Sequence, residues 1–223
     1  VVRDAAPADV LVIGGGLIGG SIALRLAQAK LRVCVLDRGE PGAEASTAAA
    51  GMVAPHGETV EPDAFFEFCV TSRDLYPSFV AEVEELSGRS VGYHRDGSLL
   101  VALDDEHGKE LDRAYQAQTR LGVPLERLSP QEAARRVPGL SPSLQAALFV
   151  PGDHWLDNDR LTHAVLAACR RLGVTILAGR PVTKLNLRGG RVESVAAGYV
   201  STDAGSRFSA EKFVLAAGAW SGE

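Results

Sequence analysis

The chain has 223 residues, with 23 Lys plus Arg against 28 Asp plus Glu, for a net charge of −5. An acidic chain is not drawn to nucleic acid or to an anionic membrane, and 46% hydrophobic with 23% charged residues is the composition of an ordinary globular protein, not of a disordered one. Three widely spaced cysteines (Cys34, Cys69 and Cys169), with no CxxC or Cys/His spacing, argue against a disulfide framework or a zinc site and fit a reducing cytoplasm.

No early segment combines a basic stretch, an apolar run and a small-residue cleavage site. The longest apolar run, Val10 to Gly20, is too short and too glycine-rich to span a bilayer. The chain opens at Val1 without Met, which reads as processing or trimming. At about 150 residues per domain, the length suits one large domain or two unequal ones.

Val10-Leu11-Val12-Ile13 is a continuous apolar run, the pattern of a strand buried on both faces of a parallel sheet. A glycine-rich stretch from Gly14 to Gly20 follows, and Ser21 to Lys30 reads as a helix with Ile22, Ala23 and Leu26 on one face. Leu31 to Leu36 is a second strand ending at Asp37, which completes a βαβ unit. Pro41 to Pro55 is rich in small residues. Asp63 to Leu86 reads as helical, with Tyr76, Phe79, Val80 and Val83 at i, i+3, i+4, i+7 and with Pro77 marking a new helix start. Gly97 to Leu103 reads as a strand. Ser129-Pro130-Gln131-Glu132 is a capping box with proline at the first helical position, and that helix should stop before Pro138-Gly139. Leu161 to Leu172 reads as a helix and Val174 to Leu177 as a strand. Val182 to Leu187 and Arg191 to Ala197 flank Gly189-Gly190 as a hairpin. Phe213 to Ala216 is another fully apolar strand. The chain stops seven residues past it. A parallel strand needs neighbours and covering helices, so the sequence reads as an N-terminal piece of a longer protein.

Gly14, Gly16 and Gly19 form GxGxxG between a strand and a helix. The first glycine makes the tight turn, the second lets backbone approach a pyrophosphate, and the third lets helix and strand pack closely. The helix N-terminus then offers unpaired N–H groups and partial positive charge to the anion. Asp37, at the end of the next strand, can accept hydrogen bonds from ribose hydroxyls and would repel a 2′-phosphate, which disfavours NADP. The loop alone does not separate NAD from FAD. Ser46 to Met52 carries small side chains that would let backbone run close to a flat ring or a phosphate; equally, Ser46 reads as a helix cap.

These residues, with Asp37-Arg-Gly-Glu-Pro-Gly42, Ser46-Thr-Ala-Ala-Ala-Gly-Met52, Asp63-Ala-Phe-Phe-Glu-Phe68, Asp157-Asn158 and Phe213-Val-Leu-Ala-Ala-Gly-Ala-Trp-Ser-Gly222, resemble the D-amino-acid-oxidase-like FAD amine oxidases. Within that group the chain is most similar to the glycine oxidases of thiamine biosynthesis, chiefly through Asp63 to Phe68. The resemblance implies an α/β fold: a discontinuous Rossmann-like FAD-binding domain at 1–60 and 141–223, an inserted α+β substrate-side module at 61–140, and the C-terminal part of the family fold absent.

It also implies a noncovalent FAD. Leu17 and Ile18 would offer backbone at the pyrophosphate, with Asp37 on the ribose and Arg38 beside it. Ala45, Ser46, Ala50, Gly51 and Met52 would run toward the flavin ring. Val182 would bracket the adenine, and Ala217 and Gly218 would close over the dinucleotide. The implied reaction takes hydride from the carbon of glycine or a small primary or secondary amine, with molecular oxygen as acceptor. The products are imine or glyoxylate, ammonia and hydrogen peroxide. The family's substrate-carboxylate arginine and active-site tyrosine fall beyond residue 223, so no catalytic residue is assigned within the chain. A homotetramer is implied too. Sister activities (sarcosine oxidase, D-amino-acid oxidase or dehydrogenase) and a noncatalytic FAD-binding subunit are the alternatives.

His56 and Glu58 follow Met52 and are candidates for the substrate side, against a plain surface loop. Asp153 to Asp159 has the composition of a metal loop but not a calcium-loop spacing, and reads as a loop with a helix cap. No metal ligand set is assigned. Cys34 reads as inert packing. Phe65, Phe66 and Phe68 cover too much of a helix for one face, which makes some of them candidates for a domain or subunit interface, against ordinary helix positions.

Overall fold

The computed structural model describes residues 8–58, 63–199 and 202–222. In chain order the elements are β1 (Ala8–Ile13), α1 (Leu17–Gln28), β2 (Val33–Leu36), α2 (Ala45–Ala48), β3 (Met52–Val53), α3 (Pro55–Glu58), α4 (Ala64–Ser87), β4 (Ser98–Ala102), α5 (Asp105–Arg120), β5 (Glu126–Leu128), α6 (Pro130–Arg136), β6 (Ala146–Val150), β7 (His154–Trp155), α7 (Asn158–Arg171), β8 (Thr175–Leu177), β9 (Val182–Arg188), β10 (Arg191–Tyr199), β11 (Thr202–Leu215) and a 3-10 turn, Gly218–Gly222. They divide into two compact units: Val1–Ala50 with Ala81–Val91 and Asp157–Glu223, and Gly51–Val80 with Gly92–Leu156.

The first unit is built on a six-stranded sheet of order β8-β2-β1-β11-β10-β9. Strands β8, β2, β1 and the end of β11 run parallel, whereas β11-β10-β9 is antiparallel. Strand β11 serves both halves: its first part pairs with β10 and its last part with β1, from Ala8↔Ala210 to Ile13↔Leu215. The continuous apolar runs of β1 and β2 are buried, as expected for strands covered on both faces. Gly189 and Gly190 both have positive φ, which the tight β9–β10 turn requires.

Helix α7 packs along α1. The contact is close because Gly20 has no side chain: a Cβ there would lie 3.1 Å from Val165 Cγ1. Leu161, Ala164, Val165 and Ala168 are fully buried on α7, and a buried Leu or Val side chain contributes about 1.5–3 kcal/mol. Cys169 Sγ donates to Gly20 O at 3.3 Å in the same seam. Burial pushes the thiols of Cys34 and Cys169 up to about 11, so neither is nucleophilic at neutral pH. Cys69 is half-buried on α4. Iodoacetamide at pH 8 should therefore modify Cys69 first and reach Cys34 and Cys169 only in denaturant. Peptide mass spectrometry over a labelling time course checks the order.

The second unit holds a three-stranded antiparallel sheet, β4-β6-β5, and a ribbon in which β3 pairs with β7, Met52↔Trp155 and Val53↔His154. Leu128, Ala133, Leu144 and Ala147 form one cluster of its core, and Ala102, Leu111 and Leu148 another.

Several elements differ from the sequence reading. Helix α4 does not restart at Pro77 but runs through it. The proline removes one intrahelical hydrogen bond, and the stripe of Tyr76, Phe79, Val80 and Val83 beside it keeps one helix face apolar. Helix α7 begins at Asn158, earlier than Leu161, because the Asp157 side chain accepts from Arg160 N. Helix α5 carries few apolar residues and is missing from the sequence reading. Asp104 caps it by accepting from His107 N, and Leu111 and Gln118 are its buried positions. The capping box at Ser129 and Glu132 forms as read.

Candidate dinucleotide-binding site

The C-terminal ends of β1, β2 and β11 converge on the glycine loop. Gly14 has φ +103°, and a Cβ on it would lie 2.3 Å from Ala216 O. A Cβ at Gly19 would lie 1.9 Å from Gly14 O, and one at Gly16 would lie 2.9 Å from Ser46 Oγ. The first two contacts are with backbone, so only glycine fits. The backbone is thus bare of side chains where α1 begins, and the first-turn N–H groups of α1 have no carbonyl one turn back. Leu17 N–H is met by Ser46 Oγ at 2.8 Å. Ser46 therefore caps α1 from within α2 and does not cap α2 itself, whose N-cap, Glu44, makes no side-chain cap bond. The side chain of Ile18 is exposed, which leaves its backbone as its contribution here.

Asp37 stands at the end of β2. Its Oδ2 accepts from Gly15 N at 2.7 Å and its Oδ1 from Gly39 N at 2.9 Å, so the carboxylate is aimed at the loop. Arg38 ion-pairs with Glu44 at 2.7 Å and lies over the Trp220 ring, 3.6 Å from its centroid. Ala217 lies beside Gly14, its Cα 3.1 Å from where a Gly14 Cβ would be, and Gly218 follows with positive φ. Val182 opens β9 two residues after Arg180, whose N–H donates to Asp37 O at 2.7 Å. Ala45 begins α2 and Ala50 lies two residues past its end, both exposed. The structure therefore gathers Gly14, Gly16, Leu17, Ile18, Gly19, Asp37, Arg38, Ser46, Ala217 and Gly218 around the C-terminal ends of the central strands. Bare backbone donors at a helix N-terminus, a carboxylate at the neighbouring strand end and glycines that admit no Cβ are the donor set of a diphosphate carrying a sugar diol.

Gly51, Met52, His56 and Glu58 belong to the second unit. Gly51 has positive φ and its carbonyl accepts from Leu156 N at 3.0 Å. Met52 is 55% exposed beside Trp155. His56 Nε2 lies 2.6 Å from Arg73 Nη1. Glu58 closes α3, and its side chain lies outside the described residues. Phe66 is buried against the His56 ring, while Phe65 and Phe68 are exposed. Asp153 is fully buried and accepts from Ser98 Oγ at 2.6 Å. Sequence reasoning missed the Ser46–Leu17 cap and the Arg73–His56–Asp153 cluster, since neither has a local signal.

Tyr93 OH lies 2.6 Å from His154 Nδ1. Burial, then positive charge nearby, holds both His56 and His154 below the ordinary imidazole value of 6.5; the neighbours are Arg73 for His56 and Arg95 and Arg73 for His154. The unfolded chain thus takes up protons first as pH falls below 6.5. Stability from these groups is full above that value and is lost on acidification until the folded histidines also titrate. The urea midpoint should fall between pH 7.5 and pH 5.5, and less so in His56→Gln/His154→Gln.

The sequence profile of the family described as FAD dependent oxidoreductase matches residues 9–223. The chain belongs to the FAD-dependent oxidoreductase family. It is 37% identical over 218 residues to the bifunctional protein ThiO/ThiG of Synechocystis sp., covering 96% of this chain and 30% of that protein. It is 33% identical over 214 residues to a glycine oxidase of Bacillus licheniformis, covering 96% and 55%. The crystal structure of glycine oxidase from Geobacillus kaustophilus superposes with a TM-score of 0.86 at 28% identity, over 97% of this chain and 57% of that one. The chain spans little more than half the length of the glycine oxidases it matches. Among the described residues no helix is long and apolar enough to cross a membrane.

Proposed function

We propose that the chain holds the adenosine diphosphate part of a noncovalent FAD and that the protein oxidises glycine or a similarly small primary or secondary amine. The products would be imine or glyoxylate, ammonia and hydrogen peroxide, and the setting would be thiamine biosynthesis in the cytoplasm. The observation that carries the reading is the cradle of Gly14, Gly16 and Gly19 at the start of α1, with Asp37 at the end of β2. The relatives named glycine oxidase and ThiO/ThiG support the choice of amine.

When bound, the flavin supplies the two-electron chemistry. The residues of this chain bind and orient. The amides at the start of α1 would meet the pyrophosphate, Asp37 would accept from the ribose hydroxyls, and Arg38 with Ala217 and Gly218 would flank them. Val182 would lie along the adenine, and Ala45, Ser46, Ala50, Gly51 and Met52 would follow the cofactor toward its ring, with His56 and Glu58 beyond. A homotetramer is part of the proposal.

The test uses the protein expressed from the complete gene. The purified protein should show flavin absorbance bands, release the flavin intact on denaturation, and produce peroxide on addition of glycine, ahead of sarcosine and D-alanine. A colourless protein that does not take up FAD would overturn the reading. A yellow protein that oxidises another amine in that panel would move it to a sister activity.

A further inference from the structure

We propose that His56 is a positioning residue: its neutral imidazole, accepting from Arg73, latches the corner between β3 and α3 and so fixes the backbone of Met52 and Val53. The functional meaning of that corner rests on the proposed placement of Met52 toward the cofactor ring; the latch itself does not.

Arg73 Nη1 lies 2.6 Å from His56 Nε2 and donates to Gly152 O at 2.9 Å. A guanidinium donates only, so Nε2 is the acceptor and the imidazole proton sits on Nδ1. Arg73 is itself held, its side chain 12% exposed and its Nε and Nη2 donating to Asp74. On the other side, His56 N–H donates to Asp153 Oδ1 at 3.3 Å, and the same carboxylate takes the Ser98 hydroxyl. The Phe66 ring packs edge-on against the imidazole, 5.5 Å between centroids. The start of α3 is thereby tied to α4 through Arg73, to β4 through Ser98, and to the β6–β7 turn through Gly152 and Asp153. Strand β7 leaves that turn and pairs with β3, which closes the circuit on Met52.

The charged groups facing His56 are Arg73 and Asp74 from α4 and Asp153 from the β6–β7 turn. A second proton, on Nε2, removes the acceptor and sets an imidazolium against a guanidinium. Acid should therefore release the latch.

The experiment is 15N NMR of the protein expressed from the complete gene, with selective histidine, methionine and valine labelling, between pH 8 and pH 5, following the His56 ring nitrogens and the amides of Met52 and Val53. At neutral pH the ring should be in its Nδ1–H form. Its midpoint should lie below 6.5, and the two β3 amides should shift with that same midpoint. In H56Q, whose side-chain oxygen can still accept from Arg73, those amide shifts should disappear. R73M should raise the His56 midpoint toward its ordinary value and gives an independent reading if H56Q fails to fold. An Nε2–H ring at neutral pH, β3 amides that ignore the His56 titration, or amide shifts retained in H56Q would overturn the latch. Because no cofactor is needed, a protein that shows the latch but fails to bind FAD refutes only the functional reading. One that binds FAD without the latch refutes only this inference.

Discussion

Gly14→Ala is expected to cost about 3 kcal/mol of stability, from overpacking plus a residue forced to positive φ, and to abolish FAD uptake. The new methyl would lie 2.3 Å from Ala216 O, a backbone atom just past the end of β11 that no rotamer change can move. Relief requires β1 and β11 to separate where Ala216 N–H donates to Ile13 O at 2.8 Å. For a chain of this size the melting temperature should fall by roughly 6–12 °C. Gly16→Ala is the informative contrast. Its methyl would meet Ser46 Oγ at 2.9 Å, and a serine hydroxyl can rotate away. The fold should survive with a small loss, while backbone approach to a pyrophosphate is blocked. Calorimetry of both variants with a FAD titration checks the pair. Equal destabilisation by the two substitutions would show that the loop is a packing turn and not a cradle.

Asp37→Ala should weaken FAD binding by roughly 10–150-fold, the range for losing hydrogen bonds to a charged group. The substitution removes the acceptor at the end of β2 and leaves the amides of Gly15 and Gly39 without their carboxylate partner. Some stability should go with it, on the order of 1–3 kcal/mol for groups left unsatisfied. Asp37→Asn separates the effects, since it keeps an oxygen for one of the amides and loses the charge. With the charge gone, discrimination against a 2′-phosphorylated adenosine nucleotide should weaken as well. Isothermal titration of each variant with FAD and with 2′-phospho-ADP-ribose reads both. An unchanged FAD affinity in Asp37→Ala would remove the carboxylate from the site.

The legible part of this protein was its most local part. β1, the glycine loop, α1, β2 and Asp37 lie within thirty consecutive residues, and each is set by near neighbours: an apolar run, a turn that needs glycine, a carboxylate at a strand end. The β9–β10 hairpin was legible for the same reason, through Gly189-Gly190. What the sequence concealed joins distant positions. Ser46 reads as a cap for its own helix, and only the fold brings it to Leu17 N. Asp153 looks like part of a metal-like acidic loop, yet it is buried on His56 and Ser98. Helix α5 was missed because its buried residues are too few to mark a face, while Pro77 misled because a proline signal is local and the packing that overrides it is not.

Strand β11 carries a consequence for how the molecule comes into being. β1 obtains one of its two sheet neighbours only from residues roughly two hundred positions later. During synthesis the first strand and the glycine turn must wait, apolar and half-paired, until nearly all of these 223 residues have left the ribosome. The glycine turn is thus completed about two hundred residues after its own signature is translated, and until then the nascent β1 leaves an apolar edge for a chaperone to shield.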